Sequence, residues 1–395
     1  MGGFMNLVGT MSIGVKAPII KKGDNLVKIV CDSVVKACKK HKLKLEDRDI
    51  IAVTEAIVAK SQGNFATLDD IATDVHEKFG NATVGLILPI LSRNRFSLLL
   101  KGIAKGVKKL IIQLSLPADE VGNHLISDEQ LLESGINPYD TLTEEEFYAK
   151  FGNTAHEFTG INYVELYKEF GGKNCEIIFS NNPCAILKYT KNVINADIHT
   201  RELTKKALKK GGARKIYSLS DILSESVNGS GFNPEYGLLG SNVSTNEVVK
   251  LFPKDTMKFA ENLQAALKKK TGKNIECMVY GDGAFKDPVG KIWELADPVV
   301  SPGYTNGLIG LPNEIKLKYV ADNQLGHLSG AEAQKAIMKI IQEKSKDLKN
   351  QNVSLGTTPR RLTDLLGSLA DLTSGSGDKG TPIVLIKNYF KNYAD

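Results

Sequence analysis

The chain has 395 residues, 42% hydrophobic and 24% charged, with a formal net charge of +6. That balance excludes a chain too polar to bury a core and suits one large domain or two to three ordinary ones. The lysines are scattered (Lys39-Lys40, Lys108-Lys109, Lys205-Lys206, Lys268 to Lys270). They read as solvated surface rather than a nucleic-acid footprint, and they suit an anionic small-molecule ligand.

Five cysteines (Cys31, Cys38, Cys175, Cys184, Cys277) form no CxxC pair. An odd count without a secretion signal implies a reducing, cytoplasmic setting. The apolar stretches Val84 to Leu91 and Leu98 to Leu116 are interrupted or followed by Arg93, Arg95, Lys101, Lys105 and Lys108. No transmembrane helix fits, and no membrane partner is expected.

In chain order, Leu7 to Ile13 reads as a strand, and Gly14-Val15-Lys16-Ala17-Pro18 as the loop ending it. Asp24 caps a helix whose apolar stripe is Leu26, Ile29, Val30, Val34, Ala37 and Cys38. Ile50 to Val53 is a buried strand, followed by the segment Thr54 to Asn64. Helix and strand then alternate: Leu68 to Phe79, Val84 to Leu88, Phe96 to Val107, Leu110 to Leu114. Arg93 and Arg95 are an anion-binding pair or a solvated helix start.

From Pro117 to Gly231 runs an α/β segment, with alternation around Ile177, Val193 to Ile198 and Arg201 to Leu208. Ser218 to Gly231 reads as its return linker. His124, His156 and His199 lack ligand spacing and read as core or surface histidines. The spacing further predicts a helix over Met257 to Lys270 and a strand over Ile275 to Tyr280. It predicts another strand over Glu314 to Val320, helices over Ala331 to Lys349 and Arg360 to Leu372, and a strand over Ile383 to Lys387.

The strand Ile275 to Tyr280 ends in Gly281-Asp282-Gly283, which delivers one carboxylate between open glycines. Such a carboxylate suits a metal ion, a phosphate-bound Mg²⁺ or a general base; a plain Asp-Gly turn uses the same residues. SGSGDKGTP (Ser374 to Pro382) offers backbone N–H groups to an anion, or forms a flexible turn. It lacks the GxxxxGK[ST] pattern of a Walker loop. Lys60 reads as a phosphate ligand or a solvated lysine with a packed stem.

The string EDRDIIAVTEAIVAKSQGN, with GVKAPIIKKGDNL before it, resembles the signature of the coenzyme F420-0:L-glutamate ligase (γ-glutamyl ligase) family. The resemblance resumes over Gly231 to Asn242, at Leu251-Phe252-Pro253-Lys254-Asp255 and around Asp282. It implies a mixed α/β (α+β) fold of that family, with core parts 1–116 and 231–395 and an inserted α/β subdomain over 117–230. It implies a ligase that phosphorylates a carboxylate acceptor, F420-0 or a relative such as a folate. L-glutamate then attacks the acyl phosphate. GTP or ATP is the expected co-substrate, Mg²⁺ or Mn²⁺ the cofactor, and a homodimer the expected assembly.

Carried over, the nucleotide residues are Gly14, Val15, Lys16, Ala17, Glu55, Lys60, Asn242 and the loop Gly375, Ser376, Gly377, Asp378, Lys379, Gly380. Asp282 is the catalytic residue and, with Asp378, a metal ligand. Leu239, Gly283 and Ser376 stand where the family carries oxygen ligands, and Glu55, Glu235, Asp287 and Asp378 are candidate substitutes. Arg360 or Arg361 is a candidate carboxylate clamp. If no substitute serves, the resemblance implies a non-catalytic nucleotide- or ligand-binding descendant.

Overall fold

The structure is a computed structural model that describes residues 7–156, 159–281, 285–286, 293–294, 300–355, 361–374 and 378–395. It is a mixed α/β protein, as expected, built around two principal sheets.

The first sheet has five strands in the order Met11–Val15, Ile383–Lys387, Ile50–Thr54, Glu276–Tyr280, Gly303–Tyr304. Ile50–Thr54 and Glu276–Tyr280 run parallel, and the other pairings are antiparallel. Both faces are covered, which is why these strands read as unbroken apolar runs. On one face Ile51, Val53, Cys277, Val279, Ile383 and Leu385 pack under the helices Leu26–Lys40 and Thr256–Thr271. On the other, Ile50, Ala52, Met278, Tyr280, Val384 and Ile386 pack against Leu366 and Ala370 of helix Leu362–Ser374.

The second sheet has six strands in the order Leu142–Thr143, Cys175–Phe179, Lys109–Leu114, Thr83–Ile87, Asn192–Asn195, Lys215–Ser218. All but Leu142–Thr143 are parallel. Numbered along the chain, the parallel strands lie 3-2-1-4-5, a doubly wound arrangement whose order reverses at Thr83–Ile87. Helices Leu68–Phe79, Phe96–Lys105 and Tyr163–Gly171 share the larger core on one face. Ile186 and Leu208 close the other face over Ile87, Ile111, Ile178 and Val193. Strands on both sides of residue 116 therefore sit in one sheet. Leu219, Ile222 and Leu223, inside the expected linker 218–231, are buried in its core.

A three-stranded sheet, Asn242–Thr245, Val248–Lys250 and Phe65–Thr67, joins the two parts. Several local expectations change; the helix expected over Ala331 to Lys349, for one, ends at Glu343. The first strand starts at Met11 rather than Leu7, because pairing with Lys387 begins there and Leu7 stays exposed. Asn25, not Asp24, caps the first helix by accepting from the Lys28 N–H, while Asp24 accepts from Lys21. Glu314 to Val320 is not a strand. Only Ile315 bridges, to Ser354, and helix Leu317–Gln324 takes over so that Val320 is buried.

Candidate functional site

Four of the singled-out segments meet at one edge of the first sheet, and pairing register brings them there. Val15 lies opposite Ile383, Ile383 opposite Val53, Val53 opposite Val279, and Thr54 opposite Tyr280. At this edge Lys16 and Ala17 leave the first strand and Gly380 to Pro382 enter the last one. Glu55 follows the central strand, and Gly281 carries the chain from Tyr280 toward Asp282.

The loops are tied to one another. Gly14 belongs to the strand rather than a loop, and a Cβ built on it would lie 2.9 Å from Thr381 Cβ. Glycine here is a requirement of close approach. The Thr381 hydroxyl donates to Ser374 O at 3.0 Å, and the Thr54 N–H donates to Pro382 O at 3.0 Å. Gly281, buried, donates its N–H to Val300 O at 2.8 Å. Gly23 N–H reaches Ser61 O at 2.8 Å, so the segment after Ala17 returns onto helix Glu55–Gln62.

The individual side chains differ in standing. Lys16, Asp378, Lys379 and Gly380 are exposed at the edge. Lys60 is exposed in the last turn of helix Glu55–Gln62, a turn and a half past the strand end. Gly63 ends that helix in the left-handed region at φ 65°. Glu55 is buried at the helix N-terminus, where a carboxylate suits the dipole, and its Oε1 accepts from Lys250 Nζ. Asn242 lies opposite Lys250 in the three-stranded sheet, its Oδ1 accepting from the Val243 N–H at 2.8 Å. Asp282, Gly283, Asp287, Arg360, Gly375, Ser376 and Gly377 lie outside the described residues. Glu235 and Arg361 are exposed, and no described bond ties them to the edge.

Sequence reasoning passed over Lys250. Its signal was a lone lysine within the apolar run Val248-Val249-Lys250-Leu251-Phe252. The structure buries it to 6% exposure.

The corresponding edge of the second sheet is closed. Where the strand order reverses, Leu238 and Leu239 pack among Ile90, Phe96, Ala196 and Ile198. A cavity of about 20 Å³ remains, room for one water at most. Leu239, where the resemblance led us to expect an acid, is thus a core side chain, 2% exposed. The adjacent loop is held rigidly. Asp119 accepts from the Leu91 N–H at 2.7 Å, and Tyr167 accepts from the Ser92 N–H at 3.0 Å and donates to Ile90 O. Burial pushes the Asp119 carboxyl up to about 6, against the N–H donors of Asn123, Leu91 and Val121 that pull it down. The hydrogen bond that the His199 ring donates to the Glu120 carboxylate raises its pKa above the ordinary value.

Among the described residues no three His, Cys, Asp or Glu side chains cluster as a metal site, and no helix is long and apolar enough to cross a membrane. The family model described as F420-0:Gamma-glutamyl ligase matches residues 14–388. Two curated proteins named Coenzyme F420:L-glutamate ligase, from Methanosarcina acetivorans and Methanosarcina mazei, are each 41% identical to the chain over 56 residues. Each match covers 14% of this chain and 18% of the relative, less than a fifth of either relative's length.

Proposed function

Since the chain belongs to the F420-0:gamma-glutamyl ligase family, we propose that it is a γ-glutamyl ligase whose nucleotide site is the loop-bearing edge of the five-stranded sheet. It would join L-glutamate to F420-0 or a related carboxylate acceptor such as a folate, at the expense of GTP or ATP. The observation that carries this reading is the meeting of Gly14 to Ala17, Thr54-Glu55, Gly281 and Gly380 to Pro382 at one strand edge. Loops gathered at the ends of strands are where a rigid scaffold presents binding groups.

The donor types fit a divalent cation at this edge. Asp378 is an exposed carboxylate there, and Gly281 leads directly into Asp282. Hard oxygen ligands of this kind suit Mg²⁺ or Mn²⁺, and Asp282 and Asp378 would hold the ion. When bound, it supplies positive charge against the phosphates. The rest falls to the chain. Lys16 and Lys379 supply further positive charge at the edge. Glu55 is hydrogen-bonded to Lys250 behind this edge. The acceptor carboxylate takes the terminal phosphoryl group, and the amine of glutamate then displaces phosphate to form the amide. A homodimer remains part of this proposal.

The burial of Leu239 favours a second reading, a nucleotide-binding descendant without turnover. Release of phosphate from GTP or ATP, measured with Mg²⁺, glutamate and F420-0 or a folate, decides between them. The ligase reading expects release that needs both glutamate and an acceptor. Nucleotide binding without release under any of these conditions overturns it in favour of the descendant.

A further inference from the structure

We propose that a crevice at the far end of the five-stranded sheet is a second ligand site, suited to a small flat aromatic acid and centred on Arg48. The inference does not rest on the nucleotide reading. The first and last strands meet at Met11 and Lys387, and Thr10 and residues 389–393 lie just beyond that pair, in the crevice. Arg48 stands two residues before Ile50, which lies opposite Ile386 at the same end. By the rise of the strands this end is about 13 Å from the Val15–Ile383 pair at the loop-bearing edge. Segment 311–317 closes the crevice from the other side, with Ile341 and Lys344 at the end of helix Gly330–Glu343. Its volume is about 560 Å³, within the range of small-molecule sites.

One wall is aromatic. Tyr389 and Phe390 meet edge to face with centroids 5.4 Å apart, and the Arg48 guanidinium lies over Phe390, 3.9 Å from its centroid. Contact with a ring holds the guanidinium without spending its N–H donors. Arg48 is exposed and forms no ion pair among the described residues. A guanidinium so placed can receive an acid through two parallel hydrogen bonds. Leu311 and Tyr393, left 52% and 39% exposed, are the apolar surface that a ring would cover.

The remaining charges set the sign. Lys344 gives one N–H to Asn313 O at 2.6 Å and keeps two more. Lys391 is paired with Glu46 at 2.7 Å and also feels Asp395, while Lys387 and Asp49 pair behind them. Among the described lining residues Glu314 alone carries a carboxylate, against Arg48, Lys344 and Lys391. Burial, and then the nearby Glu314, push the Tyr389 phenol above its ordinary value, so Glu314 stands beside the aromatic wall. Arg48 attracts an acid there, and Glu314 opposes it.

These two opposed side chains make the sign of the ligand readable. Saturation-transfer NMR titrations of wild type, Arg48→Met and Glu314→Gln would use 2-naphthoate, neutral 2-naphthamide and acetate as probes. Wild type should bind 2-naphthoate at least about tenfold more tightly than either the amide, which lacks the charge, or acetate, which lacks the ring. Arg48→Met keeps an extended apolar side chain at an exposed position, and it should bring 2-naphthoate down to the level of the amide. Glu314→Gln should tighten 2-naphthoate by about two- to threefold and leave the amide unchanged. This second variant decides the matter by its sign if Arg48→Met does not fold. No binding of 2-naphthoate by wild type up to its solubility overturns the inference. So does equal binding of the three probes, binding of 2-naphthoate that survives Arg48→Met, or weaker binding in Glu314→Gln. None of these outcomes touches the reading of the nucleotide edge, which is tested with nucleotides.

Discussion

The two principal sheets deliver parallel strands to an edge and then treat that edge in opposite ways. In the five-stranded sheet the strands Ile50–Thr54 and Glu276–Tyr280 end in Glu55 and Gly281, and the loops around them stay at the surface. In the six-stranded sheet the crevice at the reversal of strand order is where a doubly wound fold ordinarily takes its ligand. Here Leu238 and Leu239 fill it. A fold with a ready-made crevice has filled it, and the proposed nucleotide site lies on the mixed sheet instead. Architecture alone would have pointed to the other edge.

The sharpest way to break this comparison is Leu239→Asp, which places there the acid that the resemblance implies. If Leu239 is a core residue, the buried and unpaired carboxylate should cost about 4 kcal/mol in denaturant unfolding. No gain in Mg²⁺ affinity should accompany the loss. A well-folded variant with tighter Mg²⁺ binding would place residue 239 at the functional edge instead.

Asp119→Ala removes the acceptor for the Leu91, Val121 and Asn123 N–H groups. The loss should be about 3 kcal/mol. Hydrogen exchange should show it in the six-stranded sheet, with protection of Ile50–Thr54 unchanged at low denaturant. Equal loss of protection in both sheets would mean that they unfold as one unit.

Gly14→Ala acts on the open edge. Its methyl group would press on Thr381, at a cost of about 1–2 kcal/mol, and nucleotide affinity should fall with it. Affinity that is unchanged would detach the first strand from the site.

The smallest effect is on pH. The Glu120 partner raises the His199 pKa above its ordinary 6.5, so the folded state holds the proton more tightly than the unfolded one. That stabilisation is complete below pH 6.5 and fades as pH rises through the raised value. His199 is half exposed, so solvent screens much of it. The stability gap between wild type and His199→Ala should narrow slightly from pH 5 to pH 8, and a gap that widens would contradict the pairing.

Legibility followed local physics. Ile383–Lys387 was readable because five apolar-dominated residues sit between Pro382 and Asn388, and the strand occupies those five positions. Glu314 to Val320 misled because its apolar and charged residues nearly alternate, the strand period. The segment is instead decided by packing, which needs only Val320 buried. The site was legible as motifs but not as an assembly. Gly14 and Thr381 are hundreds of positions apart, and only strand register reveals that they touch. Leu239 and Lys250 were unreadable for a related reason. A leucine in a glycine loop and a lysine in an apolar run declare a mismatch with their surroundings, but not which surroundings they will have.

The most direct test of the nucleotide edge is calorimetric titration of GTP and ATP, with Mg²⁺ or Mn²⁺, into wild type and Asp282→Asn. The account predicts metal-dependent binding of at least one nucleotide by wild type, lost or severely weakened in Asp282→Asn. Binding that ignores both the metal and Asp282, or no binding by wild type, would contradict it.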